Sequence, residues 1–172
     1  ILSKSVPGTT EACVKFSALS AGDQDAALKE CRKLTDGIFD GLDVSCEILS
    51  VQQQKLGDTV LLWSGDAVEG FAVCHCGEGT EAGNGICYIK FAAVQPGPHG
   101  AVLFEKLLDA CESLAAERKA TRLEGGVNLS RRDAYLQMRA RGFRTHIQGV
   151  AMHKPDLPGF NRADVYVIDD WR

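Results

Sequence analysis

Between the apolar run Ile86–Val94 and an amphipathic stretch from Ala101 onward, the chain reads Gln-Pro-Gly-Pro-His-Gly. Pro96, Gly97, Pro98 and Gly100 exclude any regular element there. A buried strand, a Gly-rich turn and a helix in direct succession bring free backbone N–H groups and the positive end of a helix to the mouth of a sheet. Phosphate is the ligand that such an arrangement suits. Arg131 and Arg132 open a later helical stretch where the dipole disfavours cations, so one of them is expected to meet a phosphate or an acidic partner. Asn128, which ends a strand just before them, is equally suited to a turn. Cys74-His75-Cys76 offers metal-ligand types, but alternation on a strand puts both thiols on one face and His75 on the other. No metal is therefore expected. The cysteines at 13, 31, 46, 74, 76, 87 and 111 are expected as reduced, mostly buried thiols of a cytoplasmic chain.

These groups need elements to position them. Ile86–Val94 is β-branched, aromatic and small, as a buried central strand requires. Val102, Leu103, Leu107, Leu108, Cys111, Leu114 and Ala115 fall on one face of a long helix. Upstream, residues 1–12 read as a loose segment and Val14–Leu19 as a first strand. Ala27, Leu28, Cys31 and Leu34 mark a helix that breaks at Asp36-Gly37, and Leu42 to Val51 mark a second. Thr59–Trp63 and Val68–Cys76 form a hairpin around Ser64-Gly65-Asp66, and 77–85 is a loop. Downstream come a strand Arg122–Val127, a helix Arg131–Arg141 stopped by Gly142, an alternating strand Phe143–His153 and a last strand Asp164–Ile168. The order predicts one mixed α/β domain over residues 1–172, with helices flanking a partly antiparallel central sheet.

At 172 residues, 45% hydrophobic and 24% charged, the chain can bury a core without staples. A formal charge of −4 argues against a nucleic-acid surface, leaving only a local patch at Arg131, Arg132, Arg139 and Arg141. No apolar run is long enough to span a bilayer, so no membrane partner is expected. The chain begins at Ile1 without a methionine, as a piece of a longer protein would.

Two segments carry a resemblance to a known family. Val94-Gln-Pro-Gly-Pro-His-Gly-Ala-Val-Leu-Phe-Glu-Lys-Leu-Leu108 and Gly126-Val-Asn-Leu-Ser-Arg-Arg-Asp-Ala-Tyr-Leu-Gln-Met-Arg-Ala-Arg-Gly-Phe143 stand in order behind the hairpin. Together they resemble the GNAT (Gcn5-related) N-acetyltransferases over residues 13 to 153 and on towards the end. The resemblance implies a sheet whose central strand splays from its parallel neighbour to admit acetyl-coenzyme A, and acetyl transfer to a small-molecule amine by direct attack. It implies that Ala93 and Val94 offer backbone to the pantetheine arm and the thioester carbonyl. His99, Gly100, Ala101 and Val102 would then cradle the pyrophosphate, with Asn128 reaching the cofactor from the neighbouring strand. Arg131, at a helix start where the dipole disfavours a cation, is the further candidate for a cofactor phosphate.

The chain also departs from the family pattern. His99 stands where an arginine is common and Val102 where a glycine is. Losing one charge-assisted hydrogen bond, worth about 1.5–3 kcal/mol, weakens binding about ten- to a hundredfold. Met138 takes the position of the usual acid, a tyrosine, and Tyr135 one turn earlier is the substitute. Asp66, Glu69, His75 and Glu124 are the candidate bases. The expectation is an acetyl-coenzyme A-dependent N-acetyltransferase. The alternative is a non-catalytic ligand-binding or dimerisation domain of the same fold, such as one half of a tandem acetyltransferase. The edge of the last strand offers a route to a homodimer. The enzyme reading requires an open gap between the two parallel strands.

Overall fold

The computed structural model describes residues 1–5, 14–152, 154 and 159–169. It is a mixed α/β fold with four helices around one largely antiparallel sheet, as expected. The strands are β1 (Leu2–Ser5), β2 (Val14–Lys15), β3 (Gly57–Ser64), β4 (Ala67–Gly77), β5 (Gly83–Val94), β6 (Arg122–Gly125), β7 (Arg144–Thr145) and β8 (Val167–Asp169). The helices are α1 (Ala21–Ile38), α2 (Ser45–Gln54), α3 (Gly100–Glu117) and α4 (Arg132–Ala140). Strand order is β2-β3-β4-β5-β6-β1-β7, and β5–β6 is the parallel pair.

The sheet separates two apolar layers. On one face Phe104, Leu107, Leu108, Leu114 and Met138 from α3 and α4 pack on Cys74, Cys87 and Ile89. On the other, Ala27, Cys31 and Ile48 from α1 and α2 pack on Phe71, Val73, Phe91 and Ala93. Alternation along β4 and β5 produces both layers from single strands. Arg141 ties α4 to α3 by reaching Glu105, Asp109 and Glu112. With Arg141 so engaged and Arg131 buried, the arginines of this segment do not form a common basic surface.

Local chemistry moves several boundaries from their sequence-based positions. Ser20 caps α1 by accepting the Asp23 N–H. The helix runs through the expected break at Asp36-Gly37, because burying Ile38 outweighs a glycine penalty of about 1 kcal/mol. The first expected strand stops after Lys15, where Asp58 accepts both the N–H and the hydroxyl of Ser17 and turns the chain into a 3-10 helix. The loose N-terminal segment is corrected in part: Leu2–Ser5 is a strand between β6 and β7 that buries Leu2, while residues 6–13 lie outside the described residues. The alternating stretch Phe143–His153 is a strand only at Arg144–Thr145. Beyond the bonds from His146 and Ile147 to the Ile1 carbonyl, residues 148–152 meet no pairing strand among the described residues, and Val150 and Met152 stand exposed. His153 and Cys13 lie outside the described residues.

Candidate functional site

The strand, turn and helix that would receive a phosphate form as their sequence demands. β5 ends at Val94, Gly97 turns at φ +135°, and α3 begins at Gly100 with His99 as its N-cap. That cap makes no side-chain hydrogen bond, and no acidic residue lies in the first turn. The Gly100 N–H bends back to the Gly97 carbonyl at 3.0 Å. The next N–H groups, of Ala101 and Val102, lack intrahelical acceptors by helix geometry. His99 and Val102 are exposed. The positive end of an 18-residue helix therefore faces outward without a cap.

The gap beside it is a true splay, and it is filled. β5 pairs with β6 only from Ile86↔Arg122 to Ile89↔Gly125. Past that point the two strands diverge, and β8 pairs antiparallel with β5 from Phe91↔Asp169 to Ala93↔Val167. The Val94 N–H donates to the Tyr166 carbonyl, and on the other side the Asp169 N–H donates to the Gly126 carbonyl at 3.0 Å. Ile168 fills the space above Gly125, where a Cβ would lie 3.2 Å from its methyl. Tyr166 packs on Phe104 and covers Gly100, whose added Cβ would meet the ring at 3.0 Å. β8 pairs with β5 along one edge, and among the described residues its other side meets the Gly126 carbonyl and Arg131.

The sequence-derived site residues divide accordingly. Ala93 and Val94 lie in the splay with backbone committed to β4 on one side and to the β8 segment on the other. Gly100 lies under Tyr166, while His99, Ala101 and Val102 form the outer helix start. The Ala101 carbonyl accepts from Gln137 at 2.7 Å. Asn128 uses its Oδ1 to accept the Ser130 N–H at 2.9 Å, closing the turn into α4. Arg131 points into the protein: Nη1 donates to the Val167 carbonyl at 2.5 Å, Nη2 pairs with Asp169, and the guanidinium sits 5.4 Å from the Phe160 ring centre. The acidic partner anticipated for it is β8 itself. Tyr135 is half-buried on the α3/α4 layer and Met138 is core.

Among the candidate bases, Asp66 is exposed in the hairpin turn, Glu69 is half-buried, and Glu124 is buried 2.9 Å from Arg122. His75 is buried, with neither ring nitrogen hydrogen-bonded among the described residues, edge-on to Tyr88 at 6.3 Å. Burial holds its imidazole below the ordinary histidine value, with Glu81 and Glu47 opposing and Lys90 assisting. In the range between that lowered value and about 6.5, the unfolded chain binds the proton and the folded chain does not. His75 thus contributes stability that is complete above pH 6.5 and lost as pH falls. Urea midpoints at pH 7.5, 6.5 and 5.5 should decline for the wild type and decline less for His75→Phe. Equal slopes would remove His75 from the acid response.

Among the described residues no group of three or more His, Cys, Asp or Glu is placed to hold a metal, and no helix is long and apolar enough to cross a membrane. Comparison of the chain with protein-family models, with curated proteins and with solved structures finds no match in any of the three.

Proposed function

We propose that this chain is a cytoplasmic domain of the GNAT acetyltransferase type, built on the strand–turn–helix resemblance, whose acetyl-coenzyme A gap is sealed by its own last strand. In this form it is non-catalytic, a ligand-binding or dimerisation domain of the acetyltransferase fold. The observation that carries the reading is β8 on the free edge of β5, in the place the pantetheine arm would take.

Magnitudes favour a lasting seal. Withdrawing β8 together with the residues that lead into it uncovers Val165, Val167 and Ile168, all fully buried. At about 1.5–3 kcal/mol each, that costs roughly 5–9 kcal/mol before Arg131 loses its partners. A micromolar ligand supplies about 8 kcal/mol, so a cofactor of that intrinsic affinity would be reduced to millimolar binding or weaker.

A second reading rests on the uncapped, outward-facing start of α3. In it the chain is an acetyl-coenzyme A-dependent N-acetyltransferase acting on a small amine. β8 withdraws on binding, Ala93 and Val94 then face the thioester, and Tyr135 serves as the acid. Thermal denaturation with acetyl-coenzyme A, together with a thiol-release assay over a panel of amines, separates the two. The sealed domain should show no shift at millimolar cofactor and no thiol release. Saturation at a hundred times Kd would add about 2.7 kcal/mol. The resulting rise of several degrees, with amine-dependent thiol release, would replace the first reading by the second.

A further inference from the structure

At the opposite end of β5 from the splay, a cavity of about 200 Å³ opens between the sheet and the C-terminal end of α3. Cys76, Asn84, Gly85, Arg118 and Lys119 are among its walls. Cys76 lies directly opposite Cys87 on the neighbouring strand, with the two sulfurs 3.5 Å apart. The Cys76 N–H donates the other way, to the Leu56 carbonyl at 2.8 Å. Cys76 and Cys87 therefore form the non-hydrogen-bonded kind of antiparallel pair, in which the Cα atoms approach to about 4.5 Å and the side chains lie closest. That separation lies within the range a disulfide accepts, and bond formation needs the sulfurs to close to about 2 Å. Cys76 reaches the cavity and Cys87 is buried behind it.

We infer that Cys76 and Cys87 are a reversible dithiol–disulfide pair, reached through this cavity by small anionic disulfides of the oxidised-glutathione class. Arg118 and Lys119 at the walls supply the charge that carboxylates of such a reagent would meet. In the first step the Cys76 thiolate attacks one sulfur of the reagent, whose S–S bond breaks and releases one thiolate. In the second, the deprotonated Cys87 sulfur attacks Cys76 in the mixed disulfide and expels the other half of the reagent. Two protein S–H bonds are replaced by one S–S bond. The reagent is reduced to two thiols, which take up the two protons.

Cys87, Arg118 and Asp58 face the Cys76 thiol, and the Cys87 hydrogen bond followed by burial raises its pKa well above the ordinary value. Attack proceeds through a small thiolate fraction, so the rate should climb about tenfold per pH unit between pH 7 and 9.

The test uses the full chain with Cys13→Ser and Cys46→Ser, which removes the exposed thiol of α2 and the one outside the described residues. Folded protein treated with oxidised glutathione should lose two hydrogens by intact mass, and peptide mapping should join Cys76 to Cys87. Cys87→Ser should retain one glutathione on Cys76, and Cys76→Ser should retain none, with folding of each verified by circular dichroism. Arg118→Glu with Lys119→Glu should slow oxidised glutathione about tenfold or more and leave hydroxyethyl disulfide, which is neutral, unaffected. A folded chain that stays reduced while the urea-unfolded chain is converted would overturn the inference. So would a bond mapped to Cys74 and Cys111, or equal slowing of both reagents by the charge reversal.

Discussion

Arg131→Ala should cost this domain about 3–5 kcal/mol, a fall of roughly 6–20 °C in Tm for a chain of this length. Arg131 is 1% exposed, and its guanidinium satisfies the Val167 carbonyl and the Asp169 carboxylate of β8 while covering Phe160. Removing it takes the guanidinium away from a partly buried carboxylate and a buried carbonyl and leaves a hole beneath the strand that fills the splay. Replacing both partners, as in Arg131→Met with Asp169→Leu, should restore most of the loss, because a buried ion pair is harmful chiefly when halved. Urea unfolding of the two variants reads this directly. The same experiment separates the two roles assigned to the residue. Were Arg131 a ligand for a cofactor phosphate, alanine would leave the apo protein's stability within about 1 kcal/mol of wild type and weaken only binding.

Gly57→Ala should be comparably damaging for a different reason. A methyl group there would overlap the Cys74 carbonyl oxygen, lie 2.9 Å from its carbon and stand 3.0 Å from the His75 Cα. All of these are backbone atoms of the paired strand, so no rotamer change relieves the overlap. β3 must part from β4 at the point where the Leu56 carbonyl receives the Cys76 N–H. The expected loss is about 3 kcal/mol or more. Gly22→Ala is the matched control: its added methyl meets nothing within 4 Å in α1, so it should stabilise by about 0.5–1 kcal/mol. Equal effects from the two substitutions would mean that strand contact is not what fixes residue 57 as glycine.

What the sequence discloses and what it conceals follow from the range of the interactions. β5, the proline-rich turn and α3 are legible because periodicity and turn chemistry are written in adjacent residues. The same holds for the hairpin around Gly65, at φ +60°, and for the placement of Cys74 and Cys76 on one apolar layer. β1 is hidden because four residues with one buried leucine carry no period. Arg131 stands out by its conflict with a helix dipole, but its partner sits far along the chain in Asp169. The filling of the splay depends on where a short apolar run docks, and Val165–Ile168 would read the same on any buried edge. His75 was recognisable as a titratable residue on a strand. That its ring nitrogens go without a hydrogen bond among the described residues, edge-on to Tyr88, follows from tertiary packing alone.

A wedge drawn from so far downstream also bears on the order of assembly. β3, β4 and β5 join through neighbouring hairpins, whereas β8 reaches β5 from far along the chain, with Ile168 against Gly125 and Val167 and Asp169 against Arg131. Closing that distance is an entropically slow, late event. Weakening the wedge therefore hastens escape from the native state far more than it delays arrival, which makes persistence, rather than speed of refolding, the property under its control.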